Sequence, residues 1–263
     1  MFPGQTPSNP PAFNVPLPLL IILGLLVLAH GLRVMLPDEE QFGIILRYAL
    51  IPARYSPPEN DIYLILPGGL AADMWTFVTH TFLHANWTHL LMNGFWMLAF
   101  GAPVARRFGA WRFVSFYFVC GIAGGLAHVV THAGDIYPVV GASGAISGLM
   151  GGATRFVFLA GGPLGGLVGG RDFRPEAPSA QASLVAALSE PRAIIFIGIW
   201  IGLNILFGAT GLTVTGETAM IAWEAHLGGF VAGLVLFGLF DPVRRSPSGG
   251  PGKVGYGEWG GGP

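Results

Sequence analysis

A chain of 263 residues with 52% apolar and only 10% charged residues, and a mean hydropathy of +0.60, is too oily for a soluble domain of ordinary composition. Its net charge of −1 excludes the strongly basic surface that nucleic acid demands. The single cysteine, Cys120, excludes an internal disulfide, and its apolar surroundings predict burial.

Residues 1–14 are rich in Pro, Asn and Gly, lack a basic stretch, and read as a flexible tail rather than a cleavable signal. Val15 to about Leu36 is a first membrane span, since roughly 20 apolar residues cross a bilayer. Pro37 to Thr79 mixes Asp38, Glu39, Glu40, Glu59, Asp61 and Asp73 with Phe42, Ile44, Ile45, Trp75 and Phe77. That mixture predicts a long loop lying at the membrane interface. A second span covers about Phe82 to Gly101, and Arg106, Arg107 and Arg112 follow it. The third covers about Phe113 to Val130. A short link, His132 to Val140, leads into a fourth, glycine-rich span from Gly141 to about Ala160. Gly161 to Glu190 is a Gly/Pro/Ala-rich loop. The fifth span is about Ala193 to Ala209 and the sixth about Trp223 to Phe240. Residues 242–263 are Pro/Gly-rich and read as a disordered tail.

The expected fold is therefore an all-α polytopic membrane protein. Residues 15–241 form a bundle of six transmembrane helices with a long interfacial loop between the first two. Six spans put both termini on one side. Of the 13 basic residues, Arg33, Arg47 and Arg54 fall on the other side, and the remainder, Arg155 and Arg192 among them, fall with the termini. This bias turns both termini to the cytoplasm. A bacterial inner membrane fits the layout.

Polar side chains inside lipid-spanning segments are costly and mark functional sites. Ser143, His84, His89, Asn93 and His226 all fall near the outer ends of the second, fourth and sixth spans, at one membrane depth. A serine hydroxyl needs a base, and His226 is the candidate. Glu224 would face another side of its helix, so the expectation is a dyad with His226 held by packing. His89 and Asn93 are four apart, share a helical face, and can donate hydrogen bonds to a developing oxyanion. His84, nearer the water interface, is expected to orient a loop or a water. His80, His128 and His132 read as interfacial. Gly229 and Gly233 form a small face on the sixth span, and Gly144, Gly148, Gly151 and Gly152 a matching one on the fourth. Two such faces let helices pack backbone to backbone.

Together, His84-x4-His89-x3-Asn93, Gly141-x-Ser143-Gly144 and His226-x2-Gly229-x3-Gly233 resemble the motifs of the rhomboid intramembrane serine proteases, over about residues 15–241. The resemblance implies a six-helix fold with a Ser143–His226 dyad. It implies an oxyanion site from His89, Asn93 and the Ser143 amide, in a water-filled cavity open to the outer face. It also implies substrates that are single-span membrane proteins, cut in or near their transmembrane helix. Two positions depart from the family pattern. Ser147 stands where an aromatic residue commonly stacks on the histidine, and Ala105 where a glutamate is frequent. A helical peptide bond in lipid is hydrogen-bonded and dry, so substrates with helix breakers near the outer end of the span are expected to be preferred.

The main alternative is a catalytically inactive rhomboid-like protein that binds membrane clients. A transporter is disfavoured by the lack of an internal repeat. A metalloprotease using His84, His89 and His226 is disfavoured because HExxH is missing and only Glu224 brings a carboxylate near them. No cofactor or metal is expected, the partners are lipid and single-span substrates, and the sequence sets no oligomeric state.

Overall fold

The computed structural model describes residues 15–56, 65–158, 182–211 and 221–242. The tail expected over 1–14, most of the loop expected over 161–190, and all but the first residue of the tail expected over 242–263 lie outside them. The described residues are mainly helical, and no strand longer than a single bridge occurs among them. In chain order the helices are α1 (Leu17–Val34), α2 (Asp38–Tyr48), α3 (Gly69–Thr79), α4 (Trp87–Trp96), α5 (Ala102–Phe108), α6 (Ala110–Thr131), α7 (Ser143–Ala153), α8 (Leu184–Ser189), α9 (Pro191–Thr210) and α10 (Trp223–Phe240). One isolated antiparallel bridge joins Leu50 to Val139.

Among the described residues, four helices, α1, α6, α9 and α10, are long and apolar enough to cross a bilayer. The chain is an integral, multi-pass membrane protein. The expected count of six long spans does not appear as such, and each departure has a local cause. The second span is broken into α4 and α5 by a π-helical segment, Met97–Gly101. Pro103, in the first turn of α5, lacks an N–H and its ring crowds the carbonyl four residues back, so the regular ladder cannot run through it. The fourth span is only the 11-residue α7, whose residues from Gly144 to Ala153 are all buried. A helix apolar on every side is an interior one; α7 sits inside the bundle.

The segment over 37–79 is likewise not one irregular loop. It holds α2, which opens on Asp38, Glu39 and Glu40 where the helix dipole favours anions, and α3. Phe42, Leu70 and Met74 project outward from these helices, as an interfacial element requires. Arg155 is no free loop charge. It is buried, donating to the Ala182 carbonyl at 2.9 and 3.0 Å and to the Leu234 carbonyl at 2.7 Å.

The core lies between α6, α7 and α10, with Phe113, Phe116, Tyr117, Cys120, Leu149 and Phe237 fully or almost fully buried. Glycine makes this triple contact possible. A Cβ on Gly229 would overlap the Gly144 carbonyl, one on Gly233 the Gly148 carbonyl, and one on Gly148 the Cys120 side chain. The two small faces therefore meet as the sequence spacing predicts. By contrast, α9 is loosely held, with Ala193 alone buried among its twenty residues.

Candidate active site

Ser143 is the first residue of α7. The turn before it is fixed by Gly141, whose φ of +123° favours glycine and whose amide donates to the His80 carbonyl at 2.9 Å. The link into α7 is tied further back by paired Leu50 and Val139 amides, at 3.1 and 2.8 Å. Ser143 is thus delivered to the bundle interior on a braced backbone.

The imidazole of His226, in the first turn of α10, meets the serine. Its Nε2 accepts from the Ser143 hydroxyl at 2.8 Å, although 83 positions separate the two residues. Its Nδ1 donates to the Asn204 Oδ1 of α9 at 2.6 Å. The Asn204 amide is itself oriented, because its Nδ2 donates to the Trp200 carbonyl at 2.8 Å. That bond turns Oδ1, an acceptor, toward His226, so Nδ1 carries the ring proton and Nε2 carries the lone pair. The result is a directional chain from hydroxyl to imidazole to amide to backbone. Sequence reasoning missed Asn204. It is the only amide or charged side chain between Ile194 and Gly208, and the cost of a polar group in lipid was the signal that pointed to it.

His89 and Asn93 converge on the same loop. Asn86 caps α4, its side chain accepting from the His89 amide at 2.8 Å. One turn on, His89 Nε2 and Asn93 Nδ2 stand 2.9 and 3.5 Å from where a Cβ on Gly141 would lie. Gly141 therefore has a second reason to be glycine: a side chain there would displace the His89 ring. Asn93 is buried, and its Nδ2 has no hydrogen-bond partner among the described residues. The first-turn N–H groups of α7 have no acceptor within the helix, so side-chain and backbone donors lie on the approach to Ser143.

His84 has no exposed surface. It is fully buried in the link before α4, packed edge-on against His89 at 5.2 Å, with Arg33 donating to its carbonyl at 2.7 Å. His80 and His128 are also buried. Glu224 faces His128 and His132, away from the serine. Ser147 is buried within α7 and supplies no aromatic surface; Asn204 occupies the orienting role from another helix. Gly144, Gly229 and Gly233 act through the α7–α10 contact rather than by touching the polar groups.

These features define an all-helical integral membrane protein carrying a serine–imidazole–amide chain inside its bundle. The rhomboid domain family model matches residues 71–241, and the chain belongs to the rhomboid family. It is 42% identical to YdcA of Bacillus subtilis over 79 residues, which is 30% of this chain and 39% of that protein. It is 37% identical to the rhomboid protease GluP of the same bacterium over 79 residues, 30% of this chain and 15% of the relative. It is 37% identical to the human rhomboid-related protein 3 over 81 residues, 31% and 20% of the two chains. The matches thus span two fifths or less of these relatives' own lengths.

Proposed function

We propose that this chain is an intramembrane serine endopeptidase that cuts single-span membrane proteins in or beside their transmembrane helix. The observation that carries this reading is the hydrogen-bonded run from Ser143 through His226 to Asn204. Family membership and the printed name of the relative GluP support it. Ser143 Oγ attacks the peptide carbonyl carbon while its proton passes to His226 Nε2. The imidazolium keeps its Nδ1–H on Asn204. Negative charge collects on the former carbonyl oxygen, which His89, Asn93 and the Ser143 amide receive; such donors are worth a few kcal/mol each in a dry, preorganised site. His226 Nε2–H then protonates the leaving amine and the C–N bond breaks. Water hydrolyses the acyl-serine by the same proton path in reverse.

The protease unit is residues 15–241, flanked by the two tails. It lies in a bacterial plasma membrane with both termini cytoplasmic. Its substrates must unwind locally, since a lipid-embedded helix hides its peptide bonds; helix breakers near the cut favour them.

The test is a single-span reporter incubated with the detergent-purified protein, alongside a fluorophosphonate probe. Cleavage of the reporter and a covalent adduct mapped to Ser143 are expected. Binding of the reporter with neither cleavage nor adduct would establish a non-catalytic client binder instead.

Asn204 is a positioning residue in this scheme. Asn204→Leu removes the acceptor that sets the His226 tautomer. The expected loss in kcat lies between tenfold and the roughly 10⁴-fold seen when a Ser-His-Asp triad loses that acceptor. KM should hold steady. An unchanged kcat would remove Asn204 from the machinery.

A further inference from the structure

A second cluster of chemistry-bearing side chains stands at the same end of the bundle. His128 and His132 are four apart, at the end of α6 and just beyond it, and their rings stack nearly parallel with centroids 4.2 Å apart. The His132 amide donates to the His128 carbonyl at 2.9 Å, which continues the helical turn and keeps both side chains on one face. Glu224, in the first turn of α10, reaches across to both. One carboxylate oxygen is 3.6 Å from His128 Nδ1 and the other 3.8 Å from His132 Nε2. Among the described residues, only these three bring histidine, cysteine or carboxylate ligand atoms together, all within 4.8 Å of one another.

Two features mark the cluster as a ligand cage rather than a plain ion pair. First, the three groups converge within ion-pair range but without a hydrogen bond between them. Both separations exceed hydrogen-bond length, and His128 Nδ1 is buried with no partner. The His128 side chain is only 9% exposed, so water does not readily satisfy it. Second, His132 is pre-oriented. The Thr131 hydroxyl has carbonyls of Ala127 and His128 in reach at 2.9 and 3.1 Å, and its oxygen lies 3.0 Å from His132 Nδ1. With its one proton given to a carbonyl, that oxygen accepts the Nδ1–H. The Nε2 lone pair of His132 then faces Glu224. An outer partner on one ring nitrogen that frees the other is the arrangement of metal-ligating histidines.

We propose that His128, His132 and Glu224 form a binding site for a divalent transition metal of the zinc class, joining the end of α6 to the first turn of α10. Two imidazoles and a carboxylate suit zinc and leave a fourth position open. Zinc–ligand bonds set neighbouring donor atoms about 3.3 Å apart in a tetrahedron, so small rotamer changes close the cage. The site lies two residues from His226 along α10 but shares no residue with the serine chain. It stands whether or not the protease reading holds.

The test uses untagged, chelator-stripped protein in detergent, titrated with Co2+ alone and then Zn2+ alone. One Co2+ per chain should bind with the visible bands of a low-coordinate site, and Zn2+ should displace it. Zn2+ should also raise the thermal midpoint of the wild type. Glu224→Gln keeps the shape and removes the anion; His132→Ala, at a half-exposed position past the helix end, gives a second variant. Each should weaken Zn2+ at least about tenfold and abolish the thermal shift. Wild-type protein that takes up no stoichiometric metal would overturn the proposal. So would equal metal affinity in wild type and in whichever variant folds.

Discussion

Alanine at Ser143 should lower reporter cleavage by about 10⁵- to 10⁶-fold while leaving the protein folded, because in a serine–histidine unit the loss of either member removes the nucleophilic path entirely. His226→Ala should fall to the same floor, and the double variant should be no worse than either single one, since the two groups act as a unit. What remains would come from the oxyanion donors and substrate binding. The structural effect is small for a clear reason. Ser143 is half-buried at the first position of α7, where alanine is a good helix former. Its hydroxyl contributes one hydrogen bond, to His226, worth about 1 kcal/mol net. The measurement is turnover per folded protein with the thermal midpoint recorded beside it. Cleavage by Ser143→Ala above 1% of wild type would end the nucleophile assignment.

The sequence made the meeting of Ser143 and His226 readable because polar groups in lipid are rare and their depths can be compared. The glycine faces were readable for a similar reason: spacing of four on two apolar segments has few uses other than close packing. Other features depended on context that spacing does not carry. The break in the second span follows from Pro103, but whether the chain answers with a kink or a π-helical segment is decided by its neighbours. The shortness of α7 reflects its burial on every side, while hydropathy alone cannot separate an interior helix from a lipid-facing one. The sequence places Arg155 among the basic residues on the side of the termini, but the spacing does not show that the Ala182 and Leu234 carbonyls enclose its guanidinium. Asn204 lay in plain view in an apolar run. Its partner was hidden, because the relative rotation of α9 and α10 is not written in either helix alone.

Valine at Gly233 should cost both stability and activity, and it tests the fold and the site together. A Cβ there would land on the Gly148 carbonyl oxygen, carbon and Cα at once. No side chain can swing aside to make room, because the obstructing atoms are α7 backbone. The carbonyl belongs to the helical ladder of a segment buried throughout. The helices must therefore separate. Overpacking a tight interior costs about 1–3 kcal/mol and occasionally more, and a backbone clash belongs at the upper end. Separation also draws His226 on α10 away from Ser143 on α7. Misplacing reactive groups by an ångström costs about 10²-fold, so the fraction that folds should cleave at least that much more slowly. Gly202→Val is the matched control, since a Cβ at Gly202 on α9 meets nothing within 4 Å. It carries the same change in residue type without the clash, and should keep near-wild-type turnover and thermal midpoint. If Gly233→Val matched Gly202→Val in both, α7 and α10 would not be in backbone contact, and the closeness of Ser143 to His226 would need another cause.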